Sequence, residues 1–182
     1  MESIPAAWGD ERHLDVSWND PKPPLSIVQT MRGVDYLRAI ASGAVPAPPI
    51  ARLLGMDIES VEEGTVAFGL EPHESHYNPI GVVHGGILCT ILDTVLGCAV
   101  HSTLEPGWAY TSIDLNVTYL RPVTLSTGRV VATGTVVKGG KRVSYASGEV
   151  RDAAGALIAT ATGSLLMMPP AVAPAPELSP TK

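Results

Sequence analysis

Residues 85–102, GGILCTILDTVLGCAVHS, restrict the fold of this chain more than any other stretch, because Asp93 is the only Asp, Glu, Lys or Arg among them. A run this apolar is buried, yet its central charge leaves it short of the roughly 18 uninterrupted apolar residues of a membrane span. On a helical wheel at about 100° per residue, Ile87, Leu88, Ile91, Leu92, Val95, Leu96 and Ala99 spread over half of the circumference. Such a helix belongs inside a sheet. Its remaining side carries Gly86, Thr90, Asp93 and Gly97, spaced by four, three and four, as a narrow stripe of small or polar residues. Something approaches the helix closely there: water, a second subunit or a slender ligand.

The flanking sequence predicts strands over 56–60, 65–70, 110–119, 129–138, 142–151 and 157–167. Glu63-Gly64, Gly139-Gly140 and Ala154-Gly155 are turn signals short enough for hairpins, so the late strands are expected to form an antiparallel meander. The alternation of Ile113, Leu115, Val117 and Tyr119 predicts one buried face. One helix embraced by a curved antiparallel sheet is an α+β arrangement. Upstream, Ser26 reads as the N-cap of a helix carrying Ile27, Met31, Tyr36, Leu37 and Ile40 and ending at Gly43, and a short helix with Ile50, Leu53 and Leu54 follows Pro48 and Pro49. The residues before Ser26, including NDPKPP, read as an arm or loop. The chain thus divides into an N-terminal arm with a helix (1–49), a main domain (50–168) and a Pro-rich tail (169–182) expected to be disordered. Trp8, Trp18 and Trp108 read as packing or arm contacts, with Trp108 a candidate border of a ligand pocket.

A formal net charge of −6 supplies no general attraction to nucleic acid or to an anionic membrane. The opening MESIPAAWGDERHLDV lacks a cationic start followed by an apolar run, and a cytoplasmic protein without membrane or nucleic-acid partners is expected. Cys89 and Cys98 stand nine residues apart on one helix, about 13 Å by helical rise. That exceeds disulfide reach, so they read as small buried side chains in a reducing compartment, with no catalytic or metal role.

A carboxylate inside an apolar segment is costly unless it is solvated or hydrogen-bonded, so Asp93 is either an acid on an exposed stripe or a functional group. The preceding NPIGVVHGG weighs toward function. It places the amides around Gly85 and Gly86 at a helix N-terminus, where they lack intrahelical partners and favour negative charge. Such amides are an oxyanion hole in waiting, although the same two glycines also suit a tightly packed helix start. Gly85 and Asp93 lie eight residues apart, about 12 Å along a helix, whereas an oxyanion donor and a water-activating carboxylate must meet at one carbonyl. One chain cannot easily supply both. If both act on one substrate, a second copy contributes one of them, and a two-fold dimer then holds two equivalent sites.

HYNPIGVVHGGILCTILDTVLG, followed by YTSIDLNVTYLRPV and DAAGALIATATGSL, resembles the PaaI-type hotdog thioesterases over roughly residues 50–168. The resemblance rests on Asn78, Gly81, His84, Gly85, Gly86 and Asp93 in that spacing. It implies a helix wrapped by an antiparallel sheet, dimers joined sheet edge to sheet edge, frequently a dimer of dimers, acyl-CoA thioesters as substrates and no cofactor. Carried over, Asp93 activates water or attacks the thioester directly, two routes that stay open. Gly85 gives the oxyanion amide, His84 orients that turn or polarises the carbonyl, and Asn78 holds water or substrate. Ser112 in YTSID matches a Ser or Thr that assists from beside the carboxylate, with Gly86 and Thr90 on the substrate side of the helix.

In the resembling family the hairpin bearing Lys138, Lys141 and Arg142 lies near the CoA phosphates, which basic side chains suit; a solvated turn explains them equally, and Arg121 shares that ambiguity. His73, His76 and His84 with Glu74 match no metal-ligand spacing, and no metal site is expected. Hydrolysis of an acyl-CoA-type thioester is the leading reading. The alternative is a non-catalytic acyl-CoA-binding protein of the same fold, which has no need of a carboxylate beside a scissile carbonyl. A hotdog dehydratase ranks last, since it calls for a different loop before the helix.

Overall fold

The structure is a computed structural model, and it describes residues 9–170. Trp8 and all but the first two residues of the expected tail lie outside that range. In chain order the elements are α1 (Lys22–Val28), α2 (Gly33–Ala41), α3 (Pro49–Leu54), β1 (Met56–Glu62), β2 (Thr65–Leu70), α4 (Gly85–His101), β3 (Ala109–Tyr119), β4 (Val130–Lys138), β5 (Val143–Asp152) and β6 (Leu157–Met168). The strands form one antiparallel sheet in the order β1-β2-β4-β5-β6-β3. Helix α4 lies across it, against β2, β3, β4, β5 and β6. This is the α+β hotdog arrangement: an apolar helix held by a sheet. Among the described residues no helix is long and apolar enough to cross a membrane.

The half-circumference of α4 read from the wheel is the core. Leu88, Ile91, Leu92, Val95, Leu96 and Ala99 are buried together with Val66, Leu70, Val130, Val150, Ile158 and Leu165 of the sheet. Each large aliphatic side chain so enclosed contributes about 1.5–3 kcal/mol. The floor beneath the helix is glycine. A Cβ on Gly134 of β4 would overlap the Val95 carbonyl and stand 2.9 Å from the Leu96 amide nitrogen. One on Gly148 of β5 would stand 2.6 Å from Leu96 Cδ1. Glycine there lets helix backbone descend onto strand backbone, which fixes the height at which α4 presents its opposite, polar side.

Three features depart from the sequence reading. The helix expected from Ser26 to Gly43 is two helices, α1 and α2, and Ser26 lies inside α1 with its hydroxyl donating to the Pro23 carbonyl at 2.7 Å. Pro23 and Pro24 open α1 rather than preclude it, because the first helical turn has no use for the amide hydrogens that proline lacks. Second, β4, β5 and β6 form the expected meander, but β3 precedes them in sequence and pairs with β6 at the far edge. Third, the alternation through β3 is broken. Ser112 pairs with Leu165 and Asp114 with Ser164, leaving Ile113 as the extra residue of a β-bulge, 55% exposed. Leu115, Val117 and Tyr119 face the helix, and beyond the bulge Ser112 and Tyr110 do so in place of Ile113.

Candidate active site

The β3 bulge builds the site. With Ser112 turned toward α4, its hydroxyl donates to Asp93 Oδ1 at 2.8 Å. Asp93 itself is exposed, so its charge stays solvated in the middle of an otherwise apolar helix. The stripe of small residues proves to be partly filled by this chain's own β3. The Tyr110 ring lies over Gly97, where a Cβ would come within 2.6 Å of the phenol oxygen. Burial, with Cys98 and Asp93 nearby, holds the Tyr110 phenol in its neutral form. At the other end, the Tyr119 ring covers Gly85, whose Cβ would stand 3.1 Å from Cζ, and the Tyr119 hydroxyl donates to the Gly85 carbonyl at 2.9 Å.

The turn before α4 is held by its own residues. His84 is the N-cap, and its Nδ1 accepts the Gly86 amide at 2.8 Å. An Nδ1 that accepts a hydrogen bond leaves the neutral ring's proton on Nε2, a donor. Gly86 is therefore engaged, whereas the Gly85 amide, at the first helical position, has no intrahelical acceptor and donates in none of the hydrogen bonds among the described residues. Gly85 is the amide that can serve an oxyanion.

Asn78 stands in the loop ahead of the helix. Its carboxamide oxygen accepts the amides of Ile80 at 3.0 Å and Val82 at 3.3 Å, closing the 78–82 turn in which Gly81 takes φ 82°. Asn78 thus shapes the loop that delivers His84 and Gly85. Thr90 returns its hydroxyl to the Gly86 carbonyl at 2.9 Å. Lys138, Lys141 and Arg142 are exposed around the β4–β5 turn, at the end of the sheet that meets the C-terminus of α4: Val136 donates to the Gly64 carbonyl, and the Gly64 amide donates to Ser102, the C-cap. The structure does not bring them to the Gly85 turn. The basic side chain there is Arg121, which with Asn78, Gly85 and Tyr119 lines a cleft of about 310 Å³.

His73 and His76 serve a short 3-10 turn, with His73 Nδ1 accepting from Ser75 and His76 Nδ1 from the His73 amide. Burial first, then His73, lowers the pKa of the His76 imidazole. Among the described residues no three His, Cys, Asp or Glu side chains gather as a metal site. Both cysteines are free thiols, and burial, with Asp93 nearby, pushes Cys98 up to about 12, so it is no nucleophile. Sequence reasoning missed Tyr119 and Tyr110 in the site. Their signal lay in the helix: Gly85 and Gly97 leave gaps that only large side chains opposite can fill.

Residues 80–159 match the model of the Thioesterase superfamily. Acyl-coenzyme A thioesterase 13 of Homo sapiens is 34% identical over 125 residues, 68% of this chain and 88% of that protein. Among solved structures, a phenylacetic acid degradation-related protein of Ralstonia eutropha is 31% identical with a TM-score of 0.66, covering 72% of this chain and 98% of its own. The PaaI protein of E. coli, at 24% identity and TM-score 0.65 over 76% of this chain and 96% of that one, shares the fold. With its sheet-wrapped helix and the HGG turn ahead of Asp93, the chain belongs to the thioesterase superfamily, as a PaaI-type hotdog-fold hydrolase of thioesters.

Proposed function

We propose that this chain hydrolyses acyl-CoA thioesters with Asp93 as the catalytic carboxylate, in a site completed by Gly85 of the partner subunit. The observation that carries this reading is the Ser112 hydroxyl on Asp93 Oδ1 at 2.8 Å. One carboxylate oxygen is fixed by a charge-assisted bond, and Oδ2 is left for water or for the thioester carbon. The human relative, an acyl-coenzyme A thioesterase by name, supports the substrate class.

In this mechanism the substrate carbonyl oxygen accepts from the Gly85 amide and from the Nε2 proton of His84. Asp93 takes a proton from water as the oxygen adds to the carbonyl carbon, or adds to it directly. Collapse of the tetrahedral intermediate breaks the C–S bond, and the CoA thiolate becomes the thiol with the proton that Asp93 took from water. In the direct route the acyl group stays on Asp93 as an anhydride, which a following water hydrolyses to the free acid while supplying that proton. Both routes use the carboxylate form of Asp93, one oxygen of which Ser112 orients. The roughly 12 Å of helix between Gly85 and Asp93 is spanned by an antiparallel second copy, which sets each Asp93 against the other turn. Arg121, beside the same turn, is suited to a CoA phosphate.

Asp93→Asn and Asp93→Ala, assayed by thiol release over a broad acyl-CoA panel, should lose about 10²- to 10⁴-fold in turnover while remaining folded. Unchanged turnover would overturn the assignment. The shared site is tested by mixing. Gly85→Pro removes the amide hydrogen at the first helical position, where proline suits the backbone and its ring needs Tyr119 to give by a few tenths of an ångström. Dimers combining Gly85→Pro with Asp93→Asn hold one intact site of two and make up half of a randomly exchanged mixture, so activity should return toward about a quarter of the native value. Mixtures as inactive as either parent would refute the shared site.

A further inference from the structure

Among the described residues the buried polar side chains are His76, Ser102, Ser144 and Ser164, and of these His76 alone ionises near neutral pH. An imidazole is costly to bury unless its nitrogens find partners. In His76 the ring Nδ1 accepts the His73 amide at 3.2 Å and so closes the 74–76 turn. The main chain of the same residue serves a second place, because its carbonyl accepts the His84 amide at 2.7 Å. His76 therefore joins a buried turn to the residue that caps α4.

Between those two ends runs a short antiparallel ribbon. Tyr77 bridges Val83, the Asn78 amide donates to the Val82 carbonyl at 2.8 Å, and the turn around Gly81 closes the tip. At the open end the peptide between His76 and Tyr77 is suspended from two sides. Its carbonyl takes the His84 amide, and its own amide, that of Tyr77, donates to the Glu74 carbonyl at 3.1 Å. A 3-10 turn of three residues is weakly bonded by itself, so the ring that caps it matters. That ring is held at 6% exposure, in the wall of a cavity of about 260 Å³ beneath Leu14 and Val16. The orientation of the 76–77 peptide decides where His84 stands, and with it the ring whose Nδ1 takes the Gly86 amide at 2.8 Å.

We propose that His76 is a positioning residue for the hydrolysis: its buried ring closes the 74–76 turn, and the turn holds the 76–77 peptide so that its carbonyl sets His84 and the Gly85 amide on the substrate carbonyl. This inference rests on the hydrolase reading above, in which those two groups bind the developing oxyanion. The test compares side chains with and without an acceptor at the δ position. His76→Asn puts Oδ1 where Nδ1 accepted the His73 amide, whereas His76→Gln and His76→Leu, one polar and one apolar, have no acceptor there. Displacing a catalytic group by a full ångström costs on the order of 10² in rate, so the smaller slip expected in His76→Gln and His76→Leu should lower kcat about tenfold. KM should stay within about twofold, because His76 acts through His84 and not on substrate, and His76→Asn should recover kcat to within about threefold of native. A second readout needs no turnover. With the histidine nitrogens isotope-labelled, the NMR signals of His84, assigned by their loss in His84→Asn, should show a bare Nδ1 and a protonated Nε2 in the native protein and in His76→Asn. In His76→Gln and His76→Leu they should show mixed tautomers, and if His76→Leu does not fold, His76→Gln decides. Native kcat in the variants without the acceptor, a loss that His76→Asn shares, a change confined to KM, or an unaltered His84 spectrum in His76→Gln would overturn the proposal. Failure of the hydrolase reading would show separately, as an Asp93→Asn variant that keeps its turnover.

Discussion

Gly134→Ala joins the packing of the sheet to the chemistry of the site. The added methyl would overlap the Val95 carbonyl and stand 2.9 Å from the Leu96 amide nitrogen. Both are backbone atoms of α4, so no side-chain rotation relieves the overlap, and the helix must withdraw from β4 by roughly 1 Å in a close-packed interior. Overpacking of this kind costs about 1–3 kcal/mol, so the urea midpoint should fall by the corresponding amount at unchanged slope. The helix that withdraws carries Asp93, whereas Ser112 stays on β3 at the far edge of the sheet, so the 2.8 Å bond between them is strained or lost. A displacement near 1 Å costs on the order of 10² in rate, so thiol release should fall far more than the unfolded fraction explains at a temperature where the variant is folded. Gly139→Ala is the control, since a Cβ there meets nothing within 4 Å, and it should behave as the native protein. A Gly134→Ala variant with native midpoint and native turnover would show that α4 does not rest on the β4 backbone.

Ser112→Ala removes the hydroxyl that orients Asp93 and should lower kcat/KM by about tenfold or more, while water replaces this exposed bond and the melting temperature changes little. Native steady-state kinetics in that variant would rule out a positioning role for the bond. Tyr119→Phe keeps the ring over Gly85 but loses the 2.9 Å bond to its carbonyl, and kcat should fall a few-fold at constant KM; a change in KM alone would place Tyr119 in substrate binding instead. Burial lowers the folded-state pKa of His101 and of His76, so the unfolded chain binds protons first as the pH drops. Their contribution is complete above the unfolded value near 6.5 and is lost as pH falls through the folded values. Urea midpoints measured from pH 8 to pH 5 should therefore decline below about 6.5, less steeply in His101→Phe, and equal slopes would exclude His101 as a source of acid sensitivity.

What the sequence displayed and what it concealed differ by range of interaction. Helix α4 was legible because its burial follows from its own period, and Asp93 because one charge in such a period demands a reason. The hairpins were legible from their turn glycines. Nothing within β3 says that it pairs with β6, since that choice is made by partners far along the chain. Nor do Ile113, Leu115, Val117 and Tyr119 announce a bulge, because every residue of the alternation is apolar and an extra residue leaves no compositional trace. Proline misled for the opposite reason: in α1 its position in the first turn mattered more than its type. No spacing rule shows that the Asn78 carboxamide oxygen bonds within the 78–82 turn or that the Thr90 hydroxyl bonds the Gly86 carbonyl.

The site's chemistry depends on the part that was concealed. An unbroken β3 would aim Ile113 at α4 and turn Ser112 outward, leaving Asp93 a solvated acid without an oriented oxygen. The bulge exchanges them, and the same shift sets the Tyr110 ring over Gly97. One inserted residue thus aims the hydroxyl that orients Asp93 and the ring that fills the gap at Gly97. Deleting Ile113 leaves Ser112 opposite Leu165 and Asp114 opposite Ser164, so a regular ladder then keeps Ser112 on Asp93, and thiol release should persist. Replacing the bulge by a regular strand that retains Ile113 would instead turn Ser112 away. A folded Ile113 deletion without turnover would show that the bulge does more than set the phase of the alternation.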